Sequence, residues 1–333
     1  MRKSIVKIGT VVGVVVILIG IGYAGGYCVS SWWKNWKRKH TRIIICHHER
    51  PQIYDRSGVL LIGNRERTLP NERLRYAAVD GKFAAGLLGF TEFYYGREIG
   101  QSGIEKMIDR KQTPGNPVYV SIDCGVQKTM EGWMERLHNV GKYEYMYALC
   151  LSSQGELIAT AQRPVLDINN REQVEGGTCL FPSVYVLTIS DDFMKLLGSS
   201  TDMTPEEKAK FRFHYKLGVL SPEARGWVKG LKPSTSTECI PDQAATAFNY
   251  LLAYISVAEN KPIPQLQIFS SGKQPPIVLK GNIEWIKVYH GECNIRALGK
   301  VPELNGNWLY FLICVEPQKQ EIFQKIISEI NNF

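Results

Sequence analysis

Residues 117–140 read PVYVSIDCGVQKTMEGWMERLHNV. The first six read as a strand. Asp123 follows as an N-cap, because a carboxylate can accept the unpaired N–H groups of a first helical turn. From there Val126, Met130, Trp133, Met134 and Leu137 recur at spacings of three and four. That puts them on one face of an amphipathic helix. The stripe is apolar throughout and reads as core, not as a ligand box.

Outward from this stretch the pattern continues. YEYMYALCLSSQGELIATAQRP (143–164) reads as two strands about Ser153-Gln154-Gly155, with apolar runs long enough for both faces to be covered. IEWIKVYHGE (283–292) and NWLYFLICVEP (307–317) read as antiparallel strands, and QEIFQKIISEINN (320–332) as a closing amphipathic helix. PDQAATAFNYLLAYISVA (241–258) reads as one helix opened by a proline, with Ala244, Ala245 and Ala247 suited to close packing. Ser190–Leu197 and Thr204–Tyr215 read as helices, the second with Thr204 as N-cap and Pro205 in the first turn. Upstream, the apolar runs QIY and GVLLI flank Asp55-Arg56-Ser57-Gly58 as a hairpin. Residues 65–115 read as loops around one short helix, GIEKMIDR. Strands enclosed by helices make the fold class α+β.

The net charge of +8 is local. Arg2, Lys3, Lys7, Lys34, Lys37, Arg38, Lys39 and Arg42 lie in the first 42 residues, which carry no acid. The remaining 32 Lys and Arg balance the 32 Asp and Glu. A nucleic-acid binder carries its basic patch on the folded part, so that class is disfavoured. The basic residues instead flank IGTVVGVVVILIGIGYAGGY (8–27), uncharged and near the ~20 residues that cross a bilayer. Trp32, Trp33 and Trp36 follow as interfacial anchors. The alternative is a signal peptide cut near Ala24-Gly25-Gly26. Gly9 and Gly13, with Gly20 and Gly22, permit close helix contact or mark only a glycine-tolerant span. The positive-inside rule alone would place the C-terminal bulk in the cytoplasm.

None of the eight cysteines forms C-x-x-C, which argues against a zinc or thioredoxin-type site. Cys150 and Cys314 sit in apolar strand runs. Cys124, Cys179, Cys239 and Cys293 are available for disulfides in an oxidising compartment. His47 and His48 are adjacent without ligand partners at useful spacing and read as a surface pair; no metal is expected. The glycines of 86–103 do not follow a strand as G-x-G-x-x-G, so no phosphate-bearing cofactor is expected.

In order along the chain, IYDRSGVLL, GLLGFTE, GQSGIE, VSIDCGVQKTMEGWM, GELIATAQRPVLDINN, KLGVLSPEARG and PDQAATAFNYLLA resemble class B penicillin-binding proteins, the transpeptidases of cell division and elongation. The resemblance covers residue 50 to the C-terminus. It implies a cytoplasmic tail (1–7), a transmembrane helix (8–27), a basic, Trp-rich juxtamembrane linker (28–46), a pedestal domain (47–115) and a transpeptidase-like domain (116–333) whose antiparallel sheet has helices on both sides. It further implies an inner-membrane protein with its bulk outside the cytoplasm, against the basic count.

Catalysis in that family uses S-x-x-K, S-x-N and K-[ST]-G. The lysine takes the serine's proton, because a serine hydroxyl is too weakly acidic to attack unaided. FPSVYV (181–186) matches the first cluster, with Ser183 at the nucleophile position and Val186 where the lysine belongs. No lysine follows until Lys195. The second cluster is absent; Ser199-Ser200-Thr201-Asp202 comes nearest. The third falls at Tyr289-His290-Gly291, which keeps Gly291 but neither the lysine nor the hydroxyl residue. His290 is a candidate replacement base. Three damaged clusters lead to the expectation of a catalytically inactive scaffold or regulator of peptidoglycan synthesis, in cell division. Its expected partners are a glycan polymerase or other division and elongation membrane proteins, met through the transmembrane helix and pedestal. The alternatives are a divergent D,D-transpeptidase acylated at Ser183 with an unusual base, and a module that binds peptidoglycan peptides without the chemistry.

Overall fold

The Asp123 cap forms as the sequence requires. Its carboxylate accepts the N–H groups of Gly125 (2.9 Å) and Val126 (3.1 Å) in the computed structural model of the chain. The structure describes residues 50–64, 75–94, 97–111, 116–165, 167–169, 186–188, 195–198, 203–204, 206–207, 210, 214, 244–290, 295–316 and 320–330. In chain order the described elements are β1 (Ile53–Tyr54), β2 (Leu60–Asn64), β3 (Arg75–Ala77), α1 (Ala85–Leu88), β4 (Thr91–Tyr94), β5 (Arg97–Gly100), α2 (Gly103–Lys111), β6 (Val118–Tyr119), α3 (Cys124–Gly141), β7 (Met146–Ser152), β8 (Leu157–Arg163), β9 (Val186–Thr188), β10 (Ala244–Thr246), α4 (Ala247–Ala258), β11 (Glu284–His290), β12 (Ile295–Pro302), β13 (Trp308–Val315) and α5 (Gln320–Glu329).

The centre is a five-stranded sheet in the order β11-β12-β13-β7-β8, with every neighbouring pair antiparallel. Side chains alternate across a strand. In β13, Tyr310, Leu312 and Cys314 therefore face one core while Leu309, Phe311, Ile313 and Val315 face another. The first core packs α4 against the sheet; its Phe248, Tyr250, Leu251 and Ile255 are buried. The second holds α3 and α5, with Met130, Trp133, Leu137, Phe323 and Ile326. The five α3 residues read as a core face are all buried there. Both faces of β7 are covered, which is why its apolar run is unbroken.

An edge strand leaves backbone groups unpaired. On β8 the buried amide of Gln127 fills that need. It accepts from the Thr160 N–H (2.8 Å) and donates to the Thr160 carbonyl (2.7 Å).

A second sheet, β3-β2-β1-β6, is built on the expected hairpin, with Gly58 at φ +93° in its turn. β6, just before the α3 cap, joins it parallel to β1. The GLLG and GQSG stretches meet here. A Cβ on Gly103 would lie 2.3 Å from the Leu87 carbonyl oxygen, and one on Gly89 2.1 Å from that of Ser102. Beneath them Glu105 joins two arginines: Oε1 to Arg75 Nη2 and Oε2 to Arg50 Nη2, both at 2.7 Å. The extended stretch 263–280 ties the two sheets, with Ser270 N bonding to the Tyr119 carbonyl and Lys280 N to the Pro302 carbonyl.

Several readings are corrected. The two late strands do not pair with each other. β12 lies between them, unread because Arg296, Gly299, Lys300 and Pro302 break its apolar pattern. The helix read from 241 begins at Ala247: Thr246 is its N-cap, and Ala244–Thr246 are strand β10. Within 65–115 the chain forms β3, α1, β4 and β5 besides the expected helix. The Thr204 cap forms as read, since Thr204 N and Oγ1 both donate to the Glu207 carboxylate and Glu207 N returns to Thr204 Oγ1. Cys150 and Cys314 are buried free thiols, and Cys124 is free as well; Cys179, Cys239 and Cys293 lie outside the described residues, as do His47 and His48. Among the described residues no helix is long and apolar enough to cross a membrane, and the 8–27 segment lies outside them.

Candidate functional site

Of the residues matched to the three clusters, Ser183 and Gly291 lie outside the described residues. Val186 does not stand in the first turn of a helix. It opens strand β9, where its register partner is Thr246 of β10. Thr246 then caps α4, its Oγ1 accepting from Asn249 N at 3.2 Å. One turn on, the Tyr250 ring lies under the Arg296 guanidinium, 5.3 Å from carbon to ring centroid. Arg296 sits on β12 opposite Tyr289 of β11, and His290, the last residue of β11, stands opposite Ile295. Val186 and Tyr289 are thus linked through the first turn of α4 and Arg296.

Arg296 is the residue that sequence reasoning missed. It is fully buried on the α4 face of the sheet. An arginine between apolar positions in NIRALG was the only sign of it. Lodged on Tyr250, it places a fixed positive charge one strand behind the third-cluster position. It cannot activate a serine, because a guanidinium offers only N–H donors and no acceptor for the hydroxyl proton. The neighbouring Cys314 is no base either. Burial pushes its thiol up to about 12, with Arg296 pulling the other way. Lys195, the first lysine after Ser183, is exposed. Among the described residues no group of three His, Cys, Asp or Glu side chains could hold a metal ion.

No family model matches the chain, and no curated protein matches it. Solved structures do. The crystal structure of penicillin binding protein 3 (PBP3) from Mycobacterium tuberculosis complexed with aztreonam aligns with a TM-score of 0.57 at 13% identity, over 85% of this chain and 95% of that one. The fold is that of a penicillin-binding protein. The ampicillin complex of the same protein gives 0.57 at 12% identity, and its apo form 0.54 at 12%, over the same shares of each chain. At these identities the likeness concerns the fold, and it agrees with the two-sided sheet described above.

Proposed function

We propose that this penicillin-binding-protein-like chain is catalytically inactive and acts as a scaffold or regulator of peptidoglycan synthesis, in cell division. The observation that carries this reading is Val186. An apolar residue occupies the lysine position of S-x-x-K, and it lies in a strand paired to Thr246, not on a helical turn. An S-x-x-K serine and lysine meet because residues three apart share a helix face. Loss of general base help costs roughly 10²–10⁴-fold in rate, and the second lysine is missing from the third cluster as well. In this reading the chain is a single-pass membrane protein with residues 43–333 outside the cytoplasm, meeting a glycan polymerase or another membrane protein through its N-terminal helix and the β3-β2-β1-β6 region.

A labelled β-lactam tests it directly. The full-length chain is incubated with a fluorescent penicillin beside an active penicillin-binding protein, and covalent label is read on a denaturing gel. No label on this chain is the expected result. Label that maps to Ser183 and disappears in Ser183→Ala overturns the reading in favour of a divergent transpeptidase, with His290 as its candidate base.

A further inference from the structure

Ala84 has φ +45° and ψ 28°. A left-handed conformation is uncommon outside glycine and persists only where the surroundings impose it. The cause is visible: the Ala84 N–H donates to Glu131 Oε1 of α3 at 2.8 Å. That carboxylate also accepts from Gln127 Nε2 at 2.7 Å, and Gln127 holds both backbone groups of Thr160 on the edge of β8. Ala84 in turn supplies the carbonyl that accepts the N–H groups of Leu87 and Leu88, each at 2.9 Å, so α1 hangs from this residue.

The same loop grips a second segment. Ile168 N donates to the Gly81 carbonyl at 2.9 Å, and Asn169 Oδ1 accepts from Ala77 N at 3.1 Å. There is no slack in the contact. A Cβ on Gly81 would stand 2.0 Å from Asp167 Oδ1, and one on Gly86 2.4 Å from Gln162 Oε1. The row Tyr76, Ala78, Asp80 and Lys82 faces solvent while the residues between are buried or half-buried, so the loop can be reached from outside.

We propose that residues 81–88 act as one lever, latched in a strained conformation by Glu131, that couples α3 to the 167–169 segment leaving β8. When the Glu131 bond is lost, Ala84 leaves the left-handed region, α1 is re-aimed, and the grip on Ile168 and Asn169 is released with it. The coupling does not depend on whether Ser183 reacts.

Amide-resolved hydrogen exchange on the full-length chain tests the lever from both ends. Glu131→Ala should speed exchange at Ala84–Leu88 and at Ile168 together, by about tenfold or more, with β13 amides unchanged. Coupling is reciprocal, so Gly81→Ala, which forces Asp167 away, should speed exchange at Ala84–Leu88. If either variant lowers protection everywhere, Ala84→Gly is the deciding one. It relieves the left-handed strain and should slow exchange at both places severalfold. Exchange at Ile168 that ignores Glu131→Ala and Ala84→Gly, while Ala84–Leu88 respond, overturns the proposal.

Discussion

Removing the Glu105 carboxylate should destabilise the chain more than any exposed charge change. Its side chain is 1% exposed, and each oxygen takes one arginine, Arg75 being 2% exposed and Arg50 11%. Arg75 also gives Nε to Glu105 Oε1 (2.8 Å), and Arg50 gives Nε to Oε2 (3.1 Å). Burial pulls the Arg75 pKa down despite that carboxylate, a sign of how costly its charge is there. In Glu105→Ala, Arg50 keeps Asp109, whereas Arg75 keeps the neutral Asn64 oxygen and the weaker pull of Glu98. Breaking a buried pair by deleting one partner costs about 3–5 kcal/mol, because the other charge stays buried. For a unit of this size each kcal/mol moves Tm by about 2–4 °C, so the drop should be roughly 6–20 °C, read by circular dichroism. The double variant Glu105→Leu/Arg75→Met should recover part of the loss of Glu105→Leu alone, since an unpaired guanidinium is the expensive species. A Tm drop below about 2 °C for Glu105→Ala, or a double variant no better than Glu105→Leu, would refute the reasoning.

Gly103→Ala places a Cβ against the Leu87 carbonyl at φ +56° and should cost roughly 2–3 kcal/mol. Gly132→Ala, in an open position of α3, should instead stabilise by about 0.8–1 kcal/mol; opposite Tm shifts are the check. Burial raises the Glu303 carboxyl above its ordinary range, against the pull of Asn305 and Arg56. Its favourable contribution is thus present below the ordinary carboxylate pKa and lost as pH rises through the raised value. Glu303→Gln should melt higher than the native chain at neutral pH, with the gap closing in acid; a constant gap would show that the group does not titrate in this way. Burial, then Asp55 beside it, pushes the Cys124 thiol up to about 12. Iodoacetamide near neutral pH should therefore alkylate Cys124, Cys150 and Cys314 slowly until urea is added, and alkylation of native Cys124 at the unfolded rate would contradict its placement.

Local rules were legible wherever one segment satisfies itself. The α3 cap and stripe, the Asp55–Gly58 turn and the Thr204 cap involve residues within a few positions of one another. β12 was not legible, because its tolerance for Arg296, Gly299 and Lys300 comes from partners far along the chain: Tyr250 beneath the guanidinium, Trp285 over the glycine and Trp308 under the lysine. Nor could Ala244–Thr246 be told from helix, since short alanine-rich runs suit both forms until β9 supplies a pairing edge.

By itself the sequence determined which residues could carry acylation chemistry. The lysines are missing from two clusters whatever the fold does, because a valine side chain has no proton to exchange. Only the tertiary structure decided that Val186 lies in a strand, that a buried arginine backs the third-cluster strand, and that Glu131 holds Ala84 in a left-handed turn. Each depends on contacts between segments tens of residues apart, and no local spacing encodes them.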